Sequence, residues 1–385
     1  MSPQPIYLDH HATTPVDRRV LDAMMPYFSV RFGNAGSRQH AYGWEANEAV
    51  EEARHEVAAL IGASAREIVF TSGATESNNL ALEGATETRR SRGDHVVTVQ
   101  TEHHSVLDVC KRLETHGWRV TRLPVGAEGL VDLGQLREAV TSRTVLVSVM
   151  AANNEIGVLH QMADIATIAH EHGALLHSDI VQAAGKVAVD VQSDDIDLAS
   201  FTAHKLYGPK GVGALFVRRR QPRISLIPLF HGGGQERGLR PGTLNVPGIV
   251  GFGAACAIAA RELREEASRL TRLRDRLLAS LQDRVDGLVV NGSLAHRLPG
   301  NLNVSFAHVD GEALLVSLTD VAVSSGAACT AAEPSHVLKA LGRSTDVALA
   351  SLRFGLGRWT TEAEVDAAAT HVAAAVTRLR AMAPV

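Results

Sequence analysis

Between residues 16 and 220 the chain alternates between two hydrophobic rhythms, and this alternation restricts its fold more than any other feature. Stretches with helical periodicity, such as VDRRVLDAMMPYF, GWEANEAVEEARHEVAALIG, ESNNLALEGATETRR and MADIATIAHEHG, are interleaved with short β-rich runs. Those runs are EIVFTS, HVVTVQ, TVLVSVM, ALLHSD, LASFTA and GALFVRR. Short apolar runs separated by helices are the pattern of a mainly parallel sheet covered on both faces. The fold class is therefore α/β, and ligands of such sheets sit outside the carboxyl ends of the strands. After Pro247 the rhythm changes to a long helical region reaching about Asp286. Short strands (NLNVSF, VAVSSG, SLRFGLG) and the helical TEAEVDAAATHVAAAVTRLRAMA follow. The expected organisation is a large domain over residues 16–250 and a smaller α/β domain built from 1–15 and 251–385.

Composition agrees with that size and narrows the partners. The 385 residues are 45% hydrophobic, enough for a sizeable core. Net charge is −4 with both signs interspersed. No basic block is present to neutralise a phosphate backbone, so no direct nucleic-acid contact is expected. The start, MSPQPIYLDHHATTP, lacks a charged segment followed by an apolar run, so no signal peptide is expected. No apolar run of the length of a spanning helix stands out, so no membrane partner is expected and the expected location is cytoplasmic.

The three cysteines, Cys110, Cys256 and Cys329, form neither a disulfide framework nor a paired metal motif. Cys110 (SVLDVCKRLETHG) and Cys256 (GFGAACAIAA) read as buried helical packing residues. Cys329 differs, because SSGAACTAAEPSH surrounds it with the small residues and proline of a turn. No metal site is expected, since the 18 histidines show no paired ligand spacing.

Three polar clusters fall where strands should end. In TSGATESNN, Gly73, Ala74 and Thr75 precede a helix, whose free N–H groups suit a phosphate as well as an ordinary cap. Neither a dinucleotide fingerprint nor a P-loop is present. HSDIVQAAG places Asp179 and Gln182 just after a strand, and SFTAHKLYGPKGVG places Thr202, His204 and Lys205 after another. A lysine for a Schiff base, an acid for a pyridinium nitrogen and a phosphate cradle are together what pyridoxal 5'-phosphate requires.

The motifs YLDHHATTP, FGNAGSRQH, FTSGATESNN, TEHHSVLD, NNEIGV, SDIVQAAGK, SFTAHKLYGPKG, GGGQERGLRPGTLN, SSGAAC and SLRFGLGR occur in one order along nearly the whole chain. In this the chain resembles the cysteine desulfurases of the class V aminotransferase superfamily, similar to those of iron–sulfur cluster assembly. The resemblance implies the type I pyridoxal-phosphate transferase fold, with a mainly parallel seven-stranded sheet in the large domain. It implies that L-cysteine is converted to L-alanine, with the sulfur retained as a persulfide on Cys329 and passed to a sulfur-acceptor protein.

Position by position, the resemblance implies that Lys205 carries the cofactor and shuttles the Cα proton, and that Asp179 pairs with the ring nitrogen. Gln182 pairs with the ring hydroxyl, and His103 stacks on the ring and takes part in proton transfer. Ala74, Thr75, Thr202 and His204 belong to the phosphate and cofactor contacts. Thr243 reaches the phosphate of a partner subunit, which implies a homodimer with shared sites. Asn154 and Arg353 bind the substrate carboxylate, a task suited to the guanidinium fork, with Asn34 assisting. His104 is expected to be structural.

The sequence departs from the family pattern twice. Only Thr330, Ala331 and Ala332 separate Cys329 from Glu333, a shorter stretch than in the iron–sulfur assembly enzymes. A shorter tether sweeps less volume, so the expectation is a thiol held nearer the site and an acceptor that docks closer or is different. The second departure is His10–His11, where asparagine is more usual at one position, and the sequence gives it no role. A class V aminotransferase or selenocysteine lyase, in which Cys329 is dispensable for cysteine turnover, is the alternative reading.

Overall fold

A computed structural model of the chain describes residues 4–219, 223–325 and 334–382. Seven strands form the large sheet: β2 (Ile68–Thr71), β3 (His95–Val99), β4 (Arg119–Leu123), β5 (Thr144–Ser148), β6 (Leu175–Asp179), β7 (Leu198–Thr202) and β8 (Gly213–Val217). Their spatial order is β2-β8-β7-β6-β5-β3-β4. β8 runs antiparallel to both of its neighbours and the remaining pairs are parallel. Six of these strands are the runs legible in the sequence. The seventh, β4 (RVTRL), has Arg119 and Arg122 in place of continuous apolar residues because it is the edge strand and faces water.

Apolar clusters cover the sheet on both faces, one centred on Val50, Val57, Phe70, Phe201 and Phe252, the other on Leu80, Val96, Val106 and Leu146. The second part of the chain contributes β9 (Leu288–Val290), β10 (Asn301–Phe306), β12 (Ser324–Ser325) and β13 (Ser351–Gly355), an antiparallel sheet of order β12-β13-β10-β9. The N-terminal arm joins it: β1 (Ile6–Tyr7) pairs in parallel with β11 (Val321–Ala322), and Leu8 lies in this second core.

One helix, Val246–Gln282, serves both cores. Its first half buries Ile249, Phe252, Cys256 and Ile258 with the large sheet, and its second half buries Leu270, Leu273, Leu277 and Leu281 with the small one. At 1.5 Å per residue it is about 55 Å long. It is long and apolar enough by composition to cross a membrane, a window the sequence reading did not single out. Just over half of that window, 56%, is buried inside the protein, as in a core helix. Cys110 and Cys256 are fully buried as expected, and burial pushes both thiols above their ordinary range. Cys329 and its loop lie outside the described residues.

Candidate active site

The carboxyl ends of β2, β5, β6 and β7 open onto a cavity of about 610 Å³. Eleven positions given a role from the sequence line it: Gly73, Ala74, Thr75, His103, Asn154, Asp179, Gln182, Thr202, His204, Lys205 and Arg353. Asn34 and Thr243 do not. Asn34 lines a separate depression with Trp44, Glu51 and Arg54, and its Oδ1 accepts from Gly36 N–H at 2.8 Å, closing its own turn. The geometry of this chain therefore gives Asn34 no place beside a substrate in its own cavity.

One end of the cavity is built for an anion. The helix Ala74–Thr88 starts there with Gly73 at its cap, and Gly73 has no side chain to satisfy the first-turn amides. Thr75, Thr202, His204, Lys205 and Lys210 face the same end. His204 Nδ1 is engaged by the Thr13 hydroxyl at 3.1 Å. Burial, with Lys205, Lys210 and Lys186 nearby, lowers the pKa of His204 to about 4, so the ring is neutral at physiological pH. The β2–β8–β7 backbone closes tightly here: a Cβ on Gly213 would lie 2.7 Å from Gly73 Cα and from the Phe201 carbonyl oxygen.

Lys205 is held by the N-terminal arm, its Nζ donating to the carbonyl oxygens of His11 and Ala12 at 2.6 Å each. Across the cavity, the Asp179 carboxylate is fixed at both oxygens: Oδ1 accepts from Val181 N–H at 3.0 Å and Oδ2 from Asn78 Nδ2 at 2.9 Å. Gln182 Nε2 donates to the His11 carbonyl at 3.0 Å, while its Oε1 meets His11 Nδ1 at 3.1 Å and accepts from Lys186 Nζ. Burial and the neighbouring Lys205 push Lys186 well below the usual lysine range.

His10 and His11 now separate. His10 Nδ1 meets the Gly355 carbonyl oxygen at 2.9 Å and packs edge-on to Tyr7, pinning the arm to β13. His11 lines the cavity and is kept neutral by burial among Lys186, Arg353 and Lys205. His103 caps the helix His104–Thr115, and burial lowers its pKa while Asp179 opposes the shift. His104 turns outward against His336, ring centroids 4.8 Å apart.

At the other end, Arg353 donates from Nη2 to Asp9 Oδ1 at 2.9 Å and to Ser324 Oγ at 3.1 Å, and from Nη1 to the Asn154 carbonyl at 3.1 Å. Its Nε is buried without a hydrogen-bond partner among the described residues.

Asp9, His11, Thr13, Asn78, Ser105 and Lys186 carry no role in the reading of the sequence, though each bonds to a residue named there. Asn78 was within reach of a helical argument, because it follows Ala74 by four positions and so shares its face.

The donor set fits a phosphate-bearing ring cofactor: an anion cradle, a lysine and an acid lie in one cavity with room between them. The model of the aminotransferase class-V family matches residues 6–368. The chain is 59% identical over 382 residues to a cysteine desulfurase IscS of Anaeromyxobacter sp. strain Fw109-5, covering 99% of this chain and 94% of that protein. Among solved structures it is similar to a NifS-like protein, with a TM-score of 0.91 and 39% identity, covering 98% of this chain and all of that one. It is also similar to SspA in complex with cysteine, with a TM-score of 0.82 and 36% identity, covering 92% and 99% of the two chains.

Proposed function

The chain belongs to the class-V aminotransferase family, and we propose that it acts as a pyridoxal-phosphate-dependent cysteine desulfurase. The observation that carries this reading is the meeting of Lys205, Asp179, His103 and Arg353 in one cavity beside an uncapped helix start. The names of the relatives support the choice of cysteine as substrate.

In the proposed site Gly73, Ala74, Thr75, Thr202 and His204 hold the phosphate, Asp179 keeps the ring nitrogen protonated, and Gln182 faces the ring hydroxyl. When bound, the cofactor supplies an electron sink for the pair left at Cα when its proton departs. Arg353 and Asn154 grip the substrate carboxylate. The guanidinium is already oriented by Asp9, Ser324 and the Asn154 carbonyl, so little ordering is needed on binding. Lys205 would carry the cofactor and move protons at the substrate carbon, and His103 would take part in proton exchange from the same cavity. The C–S bond of L-cysteine breaks as its sulfur bonds to Cys329 Sγ, and Cβ takes up a proton, giving L-alanine and a Cys329 persulfide.

A homodimer is part of this proposal. Phe28, Phe32, Tyr42 and Trp44 are exposed large hydrophobics close in sequence, more than an isolated surface carries singly. Trp44 borders the same depression as Gly234–Arg237, the start of the loop that bears Thr243. A second copy covering this face would bring Thr243 toward its cavity. The few unpaired cysteines support a reducing, cytoplasmic setting, and the sulfur leaves on an acceptor protein.

The test is alanine release from L-cysteine by wild type beside Cys329→Ala, with mass spectrometry of the wild-type thiol. Loss of alanine in the variant and an added sulfur on Cys329 are expected. Equal alanine from both would favour a class-V enzyme in which that thiol is dispensable. Inserting two residues after Thr330 probes the tether: altered delivery to at least one acceptor is expected, and unchanged delivery to every acceptor would remove the argument from loop length.

A further inference from the structure

Two polar side chains, one buried and one half-buried, join the acid of this site to its histidine. Asn78, on the helix Ala74–Thr88, is fully buried, and its Nδ2 donates in two directions: to Asp179 Oδ2 at 2.9 Å and to Ser105 Oγ at 2.8 Å. Ser105 lies in the first turn of the helix His104–Thr115. Its Oγ is 2.8 Å from His103 Nδ1, and its backbone N–H donates to the same nitrogen at 3.1 Å.

The direction of each bond follows from the one before. A carboxylate oxygen only accepts, so Asn78 turns its NH2 group toward Asp179. The opposite orientation would set the amide oxygen against the carboxylate. With one amide hydrogen on Asp179 and the other on Ser105, the serine oxygen accepts from Asn78 and its own hydrogen is left for His103 Nδ1. Nδ1 then receives both the hydroxyl and the backbone N–H, so it carries no hydrogen of its own, and the proton of the neutral ring resides on Nε2.

We propose that Asn78 and Ser105 are positioning residues that hold His103 in its Nε2–H tautomer, with Asp179 setting the polarity of the whole chain of hydrogen bonds. The inference rests on the reading of His103 as the proton-exchanging residue of the cavity and deepens it. Burial favours the neutral ring, so His103 presents its Nε2–H to the cavity as a hydrogen-bond donor. The carboxylate assigned to the ring nitrogen thus also dictates which nitrogen of the histidine faces the cavity as a donor.

The test reads the imidazole directly, in holoenzyme labelled with 15N at histidine, with His103 assigned by the resonances that vanish in His103→Gln. A pyrrole-type Nε2 and a pyridine-type Nδ1 are expected near neutral pH. Ser105→Ala and Asn78→Leu should each move the Nδ1 resonance toward that of a pyridine-type nitrogen with fewer donors. The double variant should add little to Ser105→Ala, because the two act in series. A hydrogen on Nδ1 in the wild-type protein overturns the proposal without any positioning variant having to fold. So does an Nδ1 resonance that ignores Asn78→Leu while responding to Ser105→Ala. The tautomer is read without turnover, so failure of the desulfurase assignment and failure of this inference are separate results.

Discussion

Asp9 and Arg353 form an ion pair, 2.9 Å from Oδ1 to Nη2, between residues 344 positions apart. Arg353 is only 1% exposed, so its guanidinium is held from behind while its cavity side faces the proposed substrate. Arg353→Lys should raise KM for L-cysteine by about tenfold or more with a smaller change in kcat, since lysine cannot reproduce the fork. Asp9→Asn should cost about 1–3 kcal/mol in a urea unfolding series, by leaving a buried cation less well paired. A KM unchanged in Arg353→Lys would remove Arg353 from carboxylate binding.

Gly213→Ala tests the anion cradle by shape alone. The added methyl would meet the Gly73 backbone and the Phe201 carbonyl, both at 2.7 Å, and neither is the end of a flexible side chain. Spreading β2 from β7 should loosen the start of the helix Ala74–Thr88. A stability loss of about 1–3 kcal/mol is expected, together with cofactor that dissociates during gel filtration. Full retention of cofactor would show that the cradle tolerates the change.

Acid should destabilise the fold in a window set by buried neutral histidines. His177 lies between Ser148 and Ser200 in the sheet, and burial lowers its pKa from 6.5 to about 3; His160 is lowered to about 4. Below pH 6.5 the unfolded chain binds protons that the folded one refuses, so stability falls with pH down to the folded values. Each such histidine contributes up to about 1.4 kcal/mol per pH unit. Glu155 opposes this between its ordinary 4.5 and its raised value of about 7, because there the folded state holds the extra proton. His177→Gln should flatten the slope of unfolding free energy between pH 6 and pH 4.5, and an unchanged slope would mean that His177 is charged in the fold.

The shared-site dimer predicts a native mass near twice 41.0 kDa. Replacing both Phe32 and Trp44 by Glu should give monomers with weakened cofactor binding. Co-expressing Lys205→Ala subunits with Thr243→Ala subunits should restore activity, since each mixed dimer has one site with Lys205 from one chain and Thr243 from the other. No recovery in purified mixed dimers would place Thr243 outside the partner's site.

Much of the cavity was legible because its residues sit at strand ends, where alternating apolar runs stop and polar residues begin. Asp179 and Thr202 end β6 and β7, and Lys205 follows β7 closely. Asn78 could be placed on the face of Ala74 but its link to Ser105 was not legible, since the pair meets only when two helix starts from different crossovers are laid side by side. β4 escaped notice because an edge strand need not be apolar on both faces. His11 gained its place only when the arm folded back on Gln182 and Lys205.

The arm also sets an order of events for a newly made chain. Lys205 is gripped by carbonyls from residues 11 and 12, and the same arm is held by β11 and by Gly355, among the later parts of the polypeptide to be synthesised. A nascent chain that has already formed the large sheet still lacks the strands that seat its first dozen residues. The grip on Lys205 is therefore completed late, once β13 has left the ribosome, long after the lysine itself has been made.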